Sequence, residues 1–269
     1  MAPSIALGGR ALHSGAAASV LFAPHDGPLV LERDGKRCAL SRLAVVRTDS
    51  GVQVRAQDGG FEIDLVEHVL AAVGGLGLAA GLRIVVDGPE PPLLDGGALA
   101  FTRAIRRLEL PTGEVRRRIT RAVRLDLGES RYELRPADGV HIEVAVEFDH
   151  PMVAVATARW DGSAADFEDR IAPARTFGFF EDWDTLKASG RAAGANARDV
   201  VVLCSDGTSL SDPPPAADEC ARHKLLDLIG DLTLSGGVPR GFIRAVRPGH
   251  RTNLQVLGRC AAMGVFGPP

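Results

Sequence analysis

A histidine and two aspartates recur at helical spacing in one stretch of the chain. His223, Asp227 and Asp231 are each four residues apart, and residues at i and i+4 of an α-helix share one face. Residues 219–232 are otherwise rich in leucine and isoleucine, so a helix there is predicted to be largely buried. Buried imidazole and carboxylate groups must be paired, hydrogen-bonded or bound to a metal. The spacing therefore indicates either a divalent-metal site or a His223–Asp227 hydrogen bond on a solvated helix face.

A second pair of ionisable residues begins an apolar helix nearer the N-terminus. Apolar residues recur at helical spacing over residues 64–76, with Asp64 as the expected N-cap and glycines at the expected end. Glu67 and His68 then fall in the first turn. An acidic residue there complements the helix dipole, which accounts for Glu67 but not for His68. A use for the His68 imidazole is therefore expected.

Three of these side chains have the composition of a hydrolytic metal site. His68, His223 and Asp227 could take three positions of a tetrahedral zinc ion and leave the fourth for water. Zinc lowers the pKa of bound water to about 7 and polarises a carbonyl, and Glu67 could take the water's proton. His250, which follows a Pro-Gly turn, could stabilise the oxyanion or protonate a departing amine. The predicted chemistry is amide hydrolysis.

Three further histidines are assigned other environments. His13 lies in a polar turn over residues 9–15, where it is either solvated or at the border of a site. His141 alternates with apolar residues and is predicted on the solvent face of a strand. His150 precedes a proline at a strand end and is predicted to be structural.

The elements expected to position these groups repeat along the chain. Short segments of alternating polar and apolar residues, separated by Gly, Pro and Asp turns, precede both helices and are typical of antiparallel strands. Placing His68 over His223 aligns two helices that each end in glycine. We predict two similar α+β domains whose polar groups meet at their interface. The boundary is predicted in the segment 110–118, which contains Pro, Gly and Arg residues, and the domains are residues 1–111 and 119–269.

Other elements are predicted from the same patterns. A strand is expected over residues 172–179, a strand and a turn that displays His250 over 241–253, and a terminal helix over 254–263.

Composition excludes several classes of function. The chain has 269 residues and a net charge of -3, so a nucleic-acid partner is not expected. Its four cysteines are widely separated, which favours neither a disulfide framework nor a Cys-rich zinc site. We find neither the pattern of a signal peptide nor an apolar run that could span a bilayer. A soluble, cytoplasmic protein is expected.

The combination of motifs resembles one family. The motifs are Val-Glu-His-Val-Leu-Ala-Ala at 66–72, Phe-Asp-His-Pro at 148–151, Ala-Arg-Thr-Phe-Gly-Phe at 174–179, Arg-His-Lys-Leu-Leu-Asp-Leu-Ile-Gly-Asp-Leu at 222–232 and Gly-His at 249–250. Their order and approximate spacing resemble the zinc-dependent UDP-3-O-acyl-N-acetylglucosamine deacetylases of bacterial lipid A synthesis. The resemblance implies an α+β fold of two similar domains, each a mainly antiparallel sheet with a pair of helices. It also implies that the helices are sandwiched between the sheets, with zinc at the domain interface.

The resemblance also implies a role for each matched residue. His68, His223 and Asp227 would be the ligands of one zinc ion, with Fe²⁺ as a possible substitute. Glu67 would be the general base and His250 the charged acid. The remaining expected roles are orientation of His250 by Asp231, an oxyanion hydrogen bond from Thr176, positive charge from Lys224 near the substrate, and substrate contacts from Phe177 and Phe179. The expected substrate is a small glycolipid-type sugar nucleotide, and the expected oligomeric state is a monomer.

Departures from the family pattern keep the substrate open. The family's Gly-Asp-Lys segment, whose lysine contacts substrate, is Gly-Glu-Ser here, and Arg131 is the nearest cation. A Leu also stands at 65 where a Thr is usual, and Arg198 lies in an altered loop. Three hypotheses follow: the lipid A deacetylase itself, a paralogous zinc amidase acting on another N-acylated sugar or amine, and a non-catalytic descendant that binds a ligand.

Overall fold

The computed structural model describes residues 3–112, 117–153 and 155–268. The strands are β1 (Ile5–Arg10), β2 (Ala17–Pro28), β3 (Val30–Arg33), β4 (Lys36–Ala39), β5 (Leu43–Arg47), β6 (Gln53–Ala56), β7 (Glu62–Ile63), β8 (Ala80–Asp87), β9 (Arg118–Ile119), β10 (Val123–Leu127), β11 (Ser130–Arg135), β12 (Val140–Glu147), β13 (Val155–Trp160), β14 (Thr176–Phe179), β15 (Val200–Leu203), β16 (Gly241–Val246) and β17 (Phe266–Gly267). The helices are α1 (Glu67–Gly75), α2 (Leu99–Arg106), α3 (Ala164–Asp166), α4 (Trp183–Ala188), α5 (Glu219–Leu234) and α6 (His250–Ala262).

Two five-stranded sheets have the same plan. The first has the order β1-β2-β8-β3-β4 and the second β10-β11-β16-β12-β13. In each sheet a single neighbouring pair is parallel, β3 with β8 and β12 with β16, and the other pairs are antiparallel. Each sheet buries alternate residues, as in β8, where Leu82, Ile84 and Val86 face the core. The predicted α+β fold with two similar, mainly antiparallel sheets is confirmed.

Smaller sheets extend each unit. Strands β5-β6-β7, which lie between β4 and α1 in the sequence, form a three-stranded sheet. Strands β14 and β15, which lie between β13 and α5 in the sequence, pair with each other. The predicted division into residues 1–111 and 119–269 stays a prediction, and residues 113–116 of the predicted linker lie outside the described residues.

Several predicted boundaries are wrong. Helix α1 begins at Glu67 and its N-cap is Val66, because the predicted cap, Asp64, instead pairs with Arg47. The strand expected over 172–179 comprises only β14, since the chain makes a helical turn before it. The expected strand and turn over 241–253 end earlier, so that His250 is the first residue of α6. Strand β13 was not predicted.

Helices α1 and α5 pack against each other at the centre of the molecule. Both are buried along most of their length, with α5 also lying against β12 and β13. Gly230 permits the contact, since a Cβ atom there would lie 2.3 Å from the carbonyl oxygen of Glu67. Across the described residues, no helix has the length and apolar content that crossing a bilayer requires.

Replacing Gly230 with alanine should separate the two helices. We expect Gly230→Ala to lower the free energy of unfolding by about 1–3 kcal/mol because the new methyl group overlaps backbone. Denaturant unfolding followed by circular dichroism would measure it. Gly258→Ala in α6 is the matched control, since its Cβ would meet nothing within 4 Å and alanine favours helix. Equal destabilisation of both variants would contradict the role of Gly230.

Candidate active site

Helices α1 and α5 bring three potential metal ligands together. One ligand atom from each of His68, His223 and Asp227 lies within 4.8 Å of the other two, and all three residues are buried. His223 Nε2 is 3.4 Å and His68 Nε2 is 3.9 Å from Asp227 Oδ1. The two imidazole rings are nearly perpendicular, with their centroids 5.0 Å apart. Thus the i,i+4 pair of α5 is completed by a residue about 155 positions away in sequence.

The hydrogen bonds around His223 and Asp227 leave His223 Nε2 and Asp227 Oδ1 free to bind a metal. The Nδ1 atom of His223 hydrogen-bonds the Ala174 carbonyl oxygen at 3.0 Å, so that the ring presents Nε2 to Asp227. A carbonyl partner on the far nitrogen is the usual support of a metal-binding histidine. Asp227 Oδ1 is buried and has no hydrogen-bond partner among the described residues. An unpartnered buried carboxylate oxygen facing two imidazole nitrogens fits a divalent cation.

The other oxygen of Asp227 is held by an ammonium group. Lys224 Nζ lies 2.9 Å from Asp227 Oδ2 and 5.3 Å from the centre of the Phe177 ring. Burial opposes charge on Asp227, but the ammonium of Lys224 and the nearby imidazoles outweigh it and hold the pKa of the carboxyl below its ordinary range. Burial and the neighbouring imidazole of His223 lower the pKa of His68 to about 3. Both ligands are therefore in the protonation states that metals require.

Glu67 projects from the first turn of α1 toward the same point. Its Oε2 accepts a hydrogen bond from the Val52 backbone N–H at 2.9 Å, which fixes the carboxylate. Burial raises the pKa of Glu67 to about 7. A carboxylate with its pKa near neutrality is suited to accept a proton and release it again.

His250 faces Glu67 from the first residue of α6. Its Nδ1 lies 3.0 Å from Asp231 Oδ2, while its Nε2 lies 3.7 Å from Glu67 Oε1 and 3.8 Å from Asp227 Oδ2. Burial alone would lower the pKa of His250, but the carboxylates of Asp231, Asp227 and Glu67 outweigh burial and raise it to about 10. The imidazole is therefore protonated at neutral pH and can act as an acid.

These groups open on a cavity of about 520 Å³. Its lining includes the ionisable residues Glu67, His68 and His250. Most of the lining is apolar, and its apolar residues include Leu12, Leu65, Phe179, Trp183, Leu186, Ala192, Ala195, Val200 and Val202. A cavity that combines ionisable groups with a largely apolar lining suits a substrate that carries both a polar group and an acyl chain.

Strand β14 forms one wall of the cavity. Thr176, Phe177 and Phe179 all line it. The Phe177 ring lies 6.0 Å from the His223 ring, and Phe148 packs edge-on against Phe177 and Phe179. The structure therefore brings the predicted oxyanion donor and both predicted aromatic contacts to the cavity, while their roles toward substrate stay predictions.

Arg131 is not brought to this cavity. It lies on β11 with an exposed side chain, and its guanidinium Nη2 is 3.5 Å from Glu147 Oε1. Because alternate strand residues face opposite sides, the buried face of β11 belongs to its neighbour Tyr132 instead. A substrate contact from Arg131 stays a prediction without support from the cavity lining.

His13 is part of the cavity wall. The sequence alone was compatible with either a solvated His13 or one at the border of a site. Its Nε2 hydrogen-bonds the Ser50 carbonyl oxygen at 2.7 Å, and burial lowers the pKa of the imidazole. Its backbone N–H and that of Ser14 donate to the buried carboxylate of Glu90. The residues flanking His13 gave no signal of this, because Glu90 is 77 positions away.

A buried ion pair holds β14 against the start of α5. Arg175 Nε donates to Glu219 Oε1 at 2.8 Å, and Arg175 Nη2 contacts Oε2 at 3.2 Å. The same guanidinium donates to the carbonyl oxygens of Arg198 and Pro213. Arg175 lies between Ala174, which orients His223, and Thr176, which lines the cavity. The pair therefore connects three segments of the site.

Breaking this pair should be costly. We expect Arg175→Met to lower the free energy of unfolding by about 3–5 kcal/mol, because the buried carboxylate of Glu219 loses its partner. Burial opposes charge on Glu219, but hydrogen bonds and charge from Arg175 outweigh it and hold its pKa below the ordinary 4.5. The contribution is thus present above that pH and lost as the pH falls. Unfolding by urea at neutral and acidic pH would show a deficit that shrinks on acidification.

Arg106→Met is the control for Arg175→Met. Arg106 Nε pairs with Glu168 at 2.9 Å, but its side chain is half exposed. Surface pairs contribute about 0–1 kcal/mol, so this loss should be small at every pH. Similar losses for the two variants would contradict the buried clamp.

Comparison with known proteins assigns the chain to a family. A family model described as UDP-3-O-acyl N-acetylglycosamine deacetylase matches residues 1–262. Curated proteins named UDP-3-O-acyl-N-acetylglucosamine deacetylase from Brucella melitensis biotype 2 (strain ATCC 23457), Brucella ovis and Brucella suis are each 33% identical over 262 residues, covering 94% of this chain and 91% of theirs. The chain belongs to the UDP-3-O-acyl N-acetylglycosamine deacetylase family.

Proposed function

We propose that this protein is a zinc-dependent deacetylase that hydrolyses the N-acetyl amide of UDP-3-O-acyl-N-acetylglucosamine in lipid A biosynthesis. The observation that carries the proposal is the convergence of His68, His223 and Asp227 with Glu67 and His250 in the lining of a partly apolar cavity. The activity for which the matching family is named, and the names of the similar curated proteins, support the substrate.

The proposed metal site is formed by His68, His223 and Asp227. A zinc ion held there would supply a Lewis acid that polarises the amide carbonyl and acidifies water. The buried Asp227 Oδ1, which has no hydrogen-bond partner among the described residues, lies near both imidazoles and suits a divalent cation.

Glu67 and His250 divide the proton transfers of amide hydrolysis. Glu67 takes a proton from water as the water oxygen bonds to the carbonyl carbon, and the former carbonyl oxygen becomes an oxyanion. The Thr176 hydroxyl donates to that oxyanion, which the charges of His250 and Lys224 also stabilise. Nε2–H of His250 then gives its proton to the amine nitrogen as the C–N bond breaks. The oxyanion re-forms a carbonyl as this bond breaks, which gives the free amino sugar and acetic acid, and the acid ionises to acetate. Glu67 then releases its proton to solvent and His250 takes one up, which restores both groups.

The apolar lining of the cavity provides room for the 3-O-acyl chain. Leu12 and Val200 belong to a small hydrophobic cluster against which Leu65, Ala195 and Val202 pack, and all five residues line the cavity. Burying the methylenes of an acyl chain on such a surface contributes about 0.8 kcal/mol per CH₂. Substrates without the chain should therefore bind more weakly.

A paralogous amidase acting on another N-acylated sugar or amine is the second candidate. It is favoured by the position of Arg131, the nearest cation to the missing family lysine, outside the cavity lining. A different polar group on the substrate would require a different contact.

One assay tests both candidates. The zinc-loaded protein is incubated with UDP-3-O-acyl-N-acetylglucosamine, with UDP-N-acetylglucosamine and with simple N-acetyl amino sugars, and released acetate is measured. We expect turnover with the first substrate and much lower kcat/KM with the others. Turnover confined to the other substrates would establish the second candidate, and no turnover with any of them would contradict both.

A further inference from the structure

A chain of hydrogen bonds continues outward from His250. Asp231, which contacts His250 Nδ1, also accepts a hydrogen bond from Asn253 Nδ2 at 2.7 Å. The carboxamide oxygen of Asn253 accepts in turn from the hydroxyl of Tyr132 at 2.6 Å. Asp231, Asn253 and Tyr132 are at most 3% exposed. This series of hydrogen bonds thus links the cavity to β11 of the second sheet.

Each member of this chain orients the next one. A carboxamide has one donating and one accepting end, and either end could face Asp231 if the group were free to turn. The phenol, whose pKa burial raises to about 12, is protonated at neutral pH and donates its proton to Asn253 Oδ1. The Asn253 side-chain NH₂ group therefore faces Asp231. The opposite orientation would place the Asn253 carbonyl oxygen against the Asp231 carboxylate, and the two would repel each other. Asp231 is thereby held in place to accept from His250 Nδ1.

The same phenol also contacts the first turn of α6. Tyr132 Oη lies 2.9 Å from Thr252 Oγ1. Thr252 in turn accepts from the backbone N–H of Gly249 at 3.3 Å and donates to its carbonyl oxygen at 3.0 Å. His250 lies between Gly249 and Thr252. One hydroxyl group therefore contacts both the helical turn that carries His250 and the amide that holds its carboxylate partner.

We infer that Tyr132 is a positioning residue for this reaction, acting on His250 through Asn253 and Asp231, an inference that rests on the proposed function. Tyr132 is the chain's single tyrosine, and it does not line the cavity. Its effect should fall on the chemical step rather than on substrate binding, because the group it orients acts as the acid.

The test is Tyr132→Phe in two backgrounds. In the otherwise unchanged zinc-loaded enzyme we expect kcat to fall about tenfold, as is common when a partner behind a catalytic group is removed, with KM unchanged within experimental error. In the His250→Ala background the same change should have almost no further effect, since the group it positions is absent. Equal fractional losses in both backgrounds, or no loss in the first, would overturn the inference.

Two further measurements keep the test decisive. If Tyr132→Phe does not fold, Asn253→Ala breaks the same chain at its next member and should show the same dependence on His250. The proton NMR signal of His250 Nδ1–H, hydrogen-bonded to Asp231, reports the chain without turnover and should shift in Tyr132→Phe. An unshifted signal would overturn the inference. Absence of turnover in the unchanged enzyme, accompanied by a shifted signal, would contradict the proposed function and leave the positioning chain standing.

Discussion

Glu67→Gln should reduce kcat by about 10²–10⁴-fold, the usual contribution of a general base. The amide can still accept the hydrogen bond that the Val52 backbone N–H gives to Glu67 Oε2 at 2.9 Å, so the first turn of α1 should keep its place. The substitution removes the basicity alone. Steady-state acetate release at saturating substrate measures the loss, with metal content determined on the same samples.

Glu62→Gln is the matched control for the general base. Glu62 lies on β7, five residues before Glu67, and pairs with Arg55 at an exposed position. This variant should turn over at the unchanged rate. Retention of more than a tenth of the activity by Glu67→Gln would assign the proton transfer to another group.

His68→Gln should remove the metal. His68 is the one proposed ligand that comes from α1, and its replacement would leave two protein ligands, fewer than the three of a catalytic zinc site. Loss of a hydrogen-bond partner behind a metal ligand typically lowers metal affinity about 10–100-fold. We expect loss of the ligand itself to lower zinc affinity by more than this, and turnover to fall with it. Elemental analysis after dialysis against a graded series of chelator concentrations measures the affinity.

His141→Gln is the control for loss of the metal. His141 is exposed on β12, where its Nε2 contacts the Asp138 carbonyl oxygen at 2.7 Å. Zinc content and turnover should match those of the unchanged protein. Full zinc retention by His68→Gln would contradict the ligand set, whatever its activity.

The convergence of the three proposed metal ligands, His68, His223 and Asp227, could be anticipated because each carries a local signal in the sequence. Periodicity placed His223 and Asp227 on one helix face. Burying the imidazole of His68, beside Glu67, costs free energy unless it is paired or bound to a metal, so a role for it was expected. Partners that depend on tertiary packing gave no such signal. Glu90 behind His13, Glu219 behind Arg175 and Tyr132 behind Asn253 are each at least 44 positions away in sequence.

The fold shows the same division between local and non-local information. Alternation predicted most strands of the two large sheets and their mainly antiparallel character, but not β4 or β13, and the glycines predicted the end of α1. The start of α6 was missed because a glycine after a proline usually marks a turn. Here Gly249 is instead the N-cap of α6, and its backbone N–H donates a hydrogen bond to Thr252 Oγ1.

The matching order of the two five-stranded sheets has an evolutionary consequence. Connectivity makes α1 the counterpart of α5, and with His68 placed on His223, Arg222 corresponds to Glu67 and Ala72 to Asp227. Tandem duplication of one ancestral unit would leave this pattern. The two histidines then occupy corresponding positions of α1 and α5, whereas Glu67 and Asp227 each lack an acidic counterpart in the other helix. Two units of the same plan thus contribute different ionisable groups to one cavity.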